Sequence, residues 1–270
     1  MRLSVLTDGQ VNAFQFPAGG EEPLVATAIH AGHQVRPEVR ERLAIDGATR
    51  LREEDPFTDL IAGGACPPVV MHRSRFEIDL NRSRDHAVYR KPEDCWGLDL
   101  WRSPLPSDVV DRSLELYDAF YSELGEYLDG LAARGPFVVF DVHSYNHRRD
   151  GAHPPPAPPA ENPDVNVGTG SMDRRLWAPV VDGLIDAMRG VRVCGSVLDV
   201  RENVRFRGAN LAAWVHQRYP TSGCAIALEF KKTFMDEWSG DVDEERLVAL
   251  RDALASSVPS VRDALHRVVA

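Results

Sequence analysis

The sequence predicts an α/β fold in which a mixed, largely parallel central sheet is covered by helices on both faces. Two observations carry this. Short apolar runs at 24–29, 137–140 and 225–230 show no alternation with polar residues, the pattern of strands buried on both sides. Segments with helical periodicity separate them, so strands and helices alternate along the chain. In such sheets ligands gather at the carboxyl ends of the strands, and each of the three runs leads directly into polar residues.

The elements follow in order. After the first strand, the segment 73–82 has Phe76, Ile78 and Leu80 at every second position, which predicts a strand with one apolar face. Arg75 and Asn81 would then share its polar face, with Arg82 at its end. Val110, Leu114, Tyr117, Tyr121, Leu124, Leu128 and Leu131 recur at steps of four and three, which predicts a long amphipathic helix with Ser107 as its N-cap. Gly135 and Pro136 end it, and a strand starts at Phe137. The stretch 148–170 carries six prolines, at 154, 155, 156, 158, 159 and 163, and reads as a long loop at the rim of a site. A helix is predicted over 174–188, a strand over 192–198, a helix over 210–218, and helices over 244–258 and again from Ser260.

The chain has 270 residues, 43% of them hydrophobic, enough for one large domain or two small ones with a full core. Its 31 Lys and Arg against 41 Asp and Glu give a net charge of −10, a poor match to nucleic acid or an anionic membrane. No apolar run reaches the roughly 18 residues of a membrane span, and the amino-terminal MRLSVLTDGQ does not resemble a secretory signal. A soluble, cytoplasmic protein is expected. Cys66, Cys95, Cys194 and Cys224 form no CxxC, which points to reduced thiols rather than a zinc knuckle or redox pair.

Four clusters can carry chemistry. The first strand ends on His30. The second run continues as Asp141-Val142-His143-Ser144-Tyr145-Asn146-His147-Arg148-Arg149. Two histidines from separate strand ends plus one carboxylate make the three-ligand set of a catalytic zinc, leaving a fourth position open. The carboxylate has several candidates: Glu38, Glu53, Glu54, Asp55 and Asp59. Arginines of the segment 73–82 supply the forked donors that bind carboxylates. Glu229, inside an otherwise apolar strand, is costly to bury without a partner and is a candidate base.

Taken together, IHAG after a strand, EDPFTD, SRFEIDLNR, DVHSYNHRR, RENVRFRG and ALEFKKTFMDE resemble, in this order, the N-formylglutamate amidohydrolase family, related to zinc carboxypeptidases and aspartoacylases. The resemblance implies one three-layer α/β/α domain over residues 1–270, with the Pro-rich loop inside it. It implies one zinc ion on His30, Asp55 and His143, with Glu229 as general base. Arg75, Asn81 and Arg82 look like the residues that polarise the scissile carbonyl and hold the substrate carboxylate, joined by Arg148 or Arg207. The substrate implied is a small N-acyl amino acid with a free carboxylate. The sequence departs from the carboxypeptidase pattern in having no HxxE, since His30 is followed three residues later by His33. It also has Ile29 where the family often has Pro before the histidine.

Other functions fit less well. A Ser144 nucleophile lacks a GxSxG elbow, and His143 on the same strand points to the other face. Neither GxGxxG nor a P-loop is present for a nucleotide. A carboxypeptidase-like peptide hydrolase, or a noncatalytic binder of an acidic metabolite, is the alternative.

Overall fold

A computed structural model of the chain describes residues 12–18 and 22–268; the amino-terminal decapeptide read above for a leader lies outside them. In chain order the elements are β1 (Phe14–Gln15), β2 (Leu24–Ala28), α1 (Pro37–Arg40), α2 (Gly47–Glu53), α3 (Thr58–Ala62), β3 (Val69–Met71), α4 (Ser107–Ala132) and β4 (Phe137–Tyr145). There follow β5 (Val165–Gly168), α5 (Ala178–Arg189), β6 (Arg192–Val193), β7 (Ser196–Val197), β8 (Val200–Glu202), α6 (Asn210–Arg218), β9 (Gly223–Lys231) and α7 (Glu244–Val268). Seven strands form one sheet in the order β1-β3-β2-β4-β9-β5-β8. Its pairs are parallel except β1 with β3 and β5 with β9, so the sheet is mixed and mostly parallel, as the apolar runs predict.

Side-chain alternation divides the core. Ala26, Val138, Phe140, Ile226 and Leu228 pack with α3, α5 and α7 on one face. Val25, Val139 and Ala225 pack with α4 and α6 on the other. A third cluster of Val35, Val39, Leu43, Phe76, Tyr89, Cys95, Leu100 and Val109 lies under the long excursion between β3 and α4. No helix is long and apolar enough to cross a membrane among the described residues. All four cysteines are free thiols, Cys95 and Cys224 buried and Cys194 exposed.

Several local expectations are corrected. Residues 73–82 do not form a strand: Glu77 and Ile78 N–H both donate to the Ser74 carbonyl, closing a turn that places Arg75 beside Asp79. The second parallel run extends through nine residues, so Asp141 and His143 lie within β4 rather than after it. The Pro-rich stretch is shorter than 148–170, because the proline-free Val165–Gly168 pairs with both β9 and β8. Residues 192–198 are a small hairpin, turned at Cys194 (φ 47°) and Gly195 (φ 84°); a left-handed pair at that point makes the tight turn. Ser107 is the first helical residue of α4 and makes no capping bond. Helix α7 runs through Pro259 unbroken. The proline is exposed there, the Ser256 and Ser257 hydroxyls donate to the Ala253 and Leu254 carbonyls, and Gly183 of α5 admits Ser260 closely enough to hold the helix in place.

Helix α6 is tied to the sheet by His216. The antiparallel partner β5 covers β9 only from Ala227 to Phe230, and the N–H of Ala225 below it donates to His216 Nε2 at 3.0 Å. Nδ1 then carries the proton, which it donates to Ser171 Oγ at 2.8 Å. Burial favours this neutral ring and pushes its pKa down to about 4. The unfolded chain therefore binds a proton near pH 6.5 that the folded chain refuses, so stability is lost as pH falls from 6.5 towards 4. We predict that the stability advantage of the wild type over His216→Gln, measured by urea unfolding, shrinks by about 3 kcal/mol between pH 7 and pH 4. Parallel pH profiles for the two proteins would contradict the assignment.

Candidate active site

The polar residues converge where the parallel strands end. On the face shared with α4 and α6 the apolar row of β4 and β9 gives way to Asp141, His143 and Glu229, with His143 and Glu229 in register on neighbouring strands. His30 follows β2 by two residues. Asp55, between α2 and α3, is brought in by its own backbone, whose N–H donates to the His30 carbonyl at 3.0 Å.

Asp55 Oδ2 lies 3.2 Å from His30 Nδ1 and 3.1 Å from His143 Nδ1. The far nitrogens face buried acids: His30 Nε2 is 2.7 Å from Asp79 Oδ1, and His143 Nε2 is 3.1 Å from Asp141 Oδ2. Those acids are themselves fixed. Thr27 Oγ1 donates to Asp141 Oδ1 at 2.7 Å, while Asp79 accepts from Arg75 Nη2 at 2.8 Å, from the Asn81 N–H at 2.8 Å and from the Tyr89 hydroxyl.

This arrangement sets the tautomer of His30. A neutral imidazole has one N–H; Asp79 claims that of His30 at Nε2 and leaves its Nδ1 lone pair aimed at Asp55, while His143 Nε2 faces the Asn81 amide nitrogen at 3.3 Å as well as Asp141. A lone pair facing an anion at that distance repels it, so positive charge is required among the three atoms. A proton on His143 supplies it in part: burial pulls the pKa of that ring down, but Asp141 and Asp55 outweigh burial and hold it well above the usual histidine value. Burial likewise raises Asp55, and the two imidazoles with Arg75 reverse this to hold its carboxyl far below the ordinary range.

A divalent cation fits the same requirement. Tetrahedral N/O ligation at about 2.0–2.1 Å puts donor atoms about 3.3 Å apart, close to the separations found, and carboxylates behind the imidazoles are the usual support of metal-binding histidines. The three donor atoms lie within 4.8 Å of one another, and no other such group of three occurs among the described residues. The remaining acids named from the sequence have other partners, although Glu53 lines the same cavity and also meets Arg149 there. Glu54 pairs with His33 and Ser74, Glu53 with Arg52 and Asn146, and Glu38 with Arg36 and Arg112; Asp59 lies in the first turn of α3.

A cavity of about 220 Å³ opens over this centre. Glu229, Arg75, Asn81 and Arg82 line it with the three metal-site residues. Burial pushes Glu229 up to about 7, and Asp55 and Asp141 add to that against the opposing pull of His143. Arg75 is held by Asp79 and Tyr89 and stacks on the Trp96 ring at 4.8 Å. Arg148 does not enter the cavity. Its guanidinium is taken by Asp236 at 2.7 Å and by the Ala152 carbonyl, and Arg149 lines the cavity instead. Arg207 lies in an adjoining chamber.

Sequence reasoning assigned no role to four residues that complete the site. Asp79 and Asp141 orient the imidazoles; their signal was an acid inside an apolar stretch, the same signal that marked Glu229. Lys232 is buried and its Nζ donates to the carbonyls of Arg52 and Glu54, both at 2.6 Å, which pins the segment carrying Asp55. Trp96 holds a left-handed backbone, φ 58°, and forms part of the cavity wall; nothing in the local sequence marked it.

Comparisons with known proteins agree with this architecture. No curated protein matches the chain. The structure is similar to that of N-formylglutamate amidohydrolase from Ralstonia eutropha, with a TM-score of 0.71 at 17% identity, covering 95% of this chain and 99% of that one. It is also similar to a gene product of Agrobacterium tumefaciens, with a TM-score of 0.61 at 17% identity over 90% of this chain and 92% of that one. At these identities the likeness shows the fold. The family model described as N-formylglutamate amidohydrolase matches residues 22–235, most of the chain's length, and the chain belongs to that family.

Proposed function

We propose that the chain hydrolyses the amide bond of an N-acyl amino acid such as N-formylglutamate, with one zinc ion held by His30, Asp55 and His143. The observation that carries this reading is the pair of imidazoles aimed by buried carboxylates at one shared acid, beside a glutamate that opens on the same cavity. Zinc at such a centre supplies Lewis acidity, polarising a carbonyl and acidifying a water molecule.

The side chains divide the remaining work. Glu229 accepts the proton of the attacking water and delivers it to the leaving amine; burial gives it a proton affinity suited to both transfers. Arg75 meets the charge that develops on the carbonyl oxygen. Its contacts with Asp79, Tyr89 and Trp96 fix it beforehand, and a preorganised donor of this kind is worth about 3 kcal/mol. Asn81 and Arg82, with Arg149 across the cavity, hold the substrate carboxylate and so orient the amide.

Release of formate or acetate from a panel of N-formyl and N-acetyl amino acids by the zinc-loaded protein is the direct test, and no release from any member would overturn the reading. Asp55→Ala or His143→Ala should leave the protein without tightly bound zinc in elemental analysis after dialysis. Asp141→Asn should weaken zinc binding by about 10–100-fold through loss of ring orientation. Glu229→Gln should keep its zinc while turnover falls by about 10²–10⁴; zinc loss with normal activity per bound zinc would contradict the role.

The pH dependence follows from the same residue. Glu229 must be ionised to accept a proton, and a cation beside it favours the ionised form, so kcat/KM should fall towards acid with a midpoint below pH 7. The residual rate of Glu229→Gln should lack that limb; an unchanged limb would assign it to another group.

A further inference from the structure

A second space, a largely open groove of about 570 Å³ that forms an outer chamber, adjoins the candidate active site, and Asn81, Arg82 and Ala209 wall both. We propose that it receives the anionic end of a substrate longer than one amino acid: an N-acyl peptide whose terminal carboxylate meets Arg207 while its acylated amide lies beside Glu229. The proposal rests on the amide-hydrolase reading above and specifies its substrate. Water adds across the acyl C–N bond, giving the carboxylic acid and the free amino group of the peptide.

Size is the first argument. Pockets for drug-sized ligands run to about 300–1,000 Å³. The cavity over the metal-site residues falls short of that range, while the two compartments together lie within it.

Charge is the second. The chain carries 41 acidic residues and a net charge of −10, yet among the described residues no Asp or Glu lines this chamber. Its cations are also unspent. Arg174 and Arg218 are each neutralised by a carboxylate within 2.8 Å. Arg82, by contrast, only approaches Asp79 at 3.8 Å, and the Arg207 guanidinium has no acidic partner among the described residues.

Placement is the third. The Gly170 N–H donates to the Arg207 carbonyl at 2.6 Å. A Cβ on Gly170 would come within 2.8 Å of the Arg207 Cβ and 3.3 Å of its Nε, so the absent side chain lets the arginine stem lie against this loop. Next to it, Ser171 Oγ accepts the Nδ1 proton of His216. Its own proton is therefore directed away from that ring, on a side chain that lines the chamber. Arginine forks and a hydroxyl donor without a competing carboxylate recognise an anion.

The test compares three probes on the zinc-loaded protein: N-formylglutamate, an N-formyl dipeptide with a free terminal carboxylate, and the same dipeptide with its terminus amidated. Wild type should show at least a tenfold higher kcat/KM for the free-carboxylate dipeptide than for its amide. Arg207→Gln should bring that ratio close to one, and Arg207→Lys should restore part of it. Gly170→Ala, which displaces Arg207 without altering charge, should lower the ratio as well. A wild-type ratio near one, with N-formylglutamate still cleaved, overturns the proposal and leaves the amide-hydrolase reading standing. If nothing is cleaved, zinc-loaded Glu229→Gln is titrated with both dipeptides by calorimetry. Preferential binding of the free carboxylate then supports the anion chamber alone, and equal or absent binding overturns it together with the hydrolase.

Discussion

Two imidazole nitrogens confronting a single carboxylate oxygen is an arrangement that neutral side chains do not sustain, and the rest of the site is organised around it. His30 cannot turn away from Asp55, because Asp79 holds its far nitrogen, and the far nitrogen of His143 is flanked by Asp141 and Asn81. Asp55 cannot retreat, because its own N–H is bonded to the His30 carbonyl and Lys232 fastens the segment before it. Burial makes each of these contacts stronger than it would be in water and makes an unpaired member costly. Positive charge is therefore built into the requirements of the fold at this point.

The sheet explains why the requirement is met so locally. Parallel pairing sets His143 directly beside Glu229, and one row below it sets Thr27 beside Asp141. Residues two apart on β4 share a face, so the acid that orients the ring and the ring itself rise from the same strand. The resulting neighbourhood gathers Asp55, Asp141 and Glu229 around the two imidazoles, with Arg75 and Lys232 beside them and Arg207 further out.

The large features were legible in the sequence for simple reasons. Strands buried on both faces must be apolar throughout, and α4 must repeat its stripe to meet the sheet, so both left clear patterns. The segment 73–82 misled because Phe76, Ile78 and Leu80 are all buried, yet in different clusters: Phe76 in the small one, Ile78 and Leu80 in the one under α4 and α6. Alternation therefore arose from a turn that distributes its side chains rather than from a pleat. Asp55 could not be picked out by spacing among five nearby acids, since Glu53 and Glu54 are diverted in part by partners distant in sequence, Asn146 and Ser74. Resemblance, not geometry, singled out Asp55 beforehand. Trp96 was silent because its position depends on a left-handed backbone and on Arg75 lying beneath it.

The wall formed by Arg75, Tyr89 and Trp96 is founded differently from the opposite side of the site. Glu229 and His143 stand on the central strands and share the durability of the whole sheet. Tyr89 and Phe76 belong instead to the cluster of eight buried apolar residues beneath the excursion between β3 and α4. Small satellite clusters open at lower free energy than the global core. The guanidinium side can thus come apart while the strands remain paired, and thermal inactivation would precede melting of the chain as a whole, with the excursion as its weakest foldon.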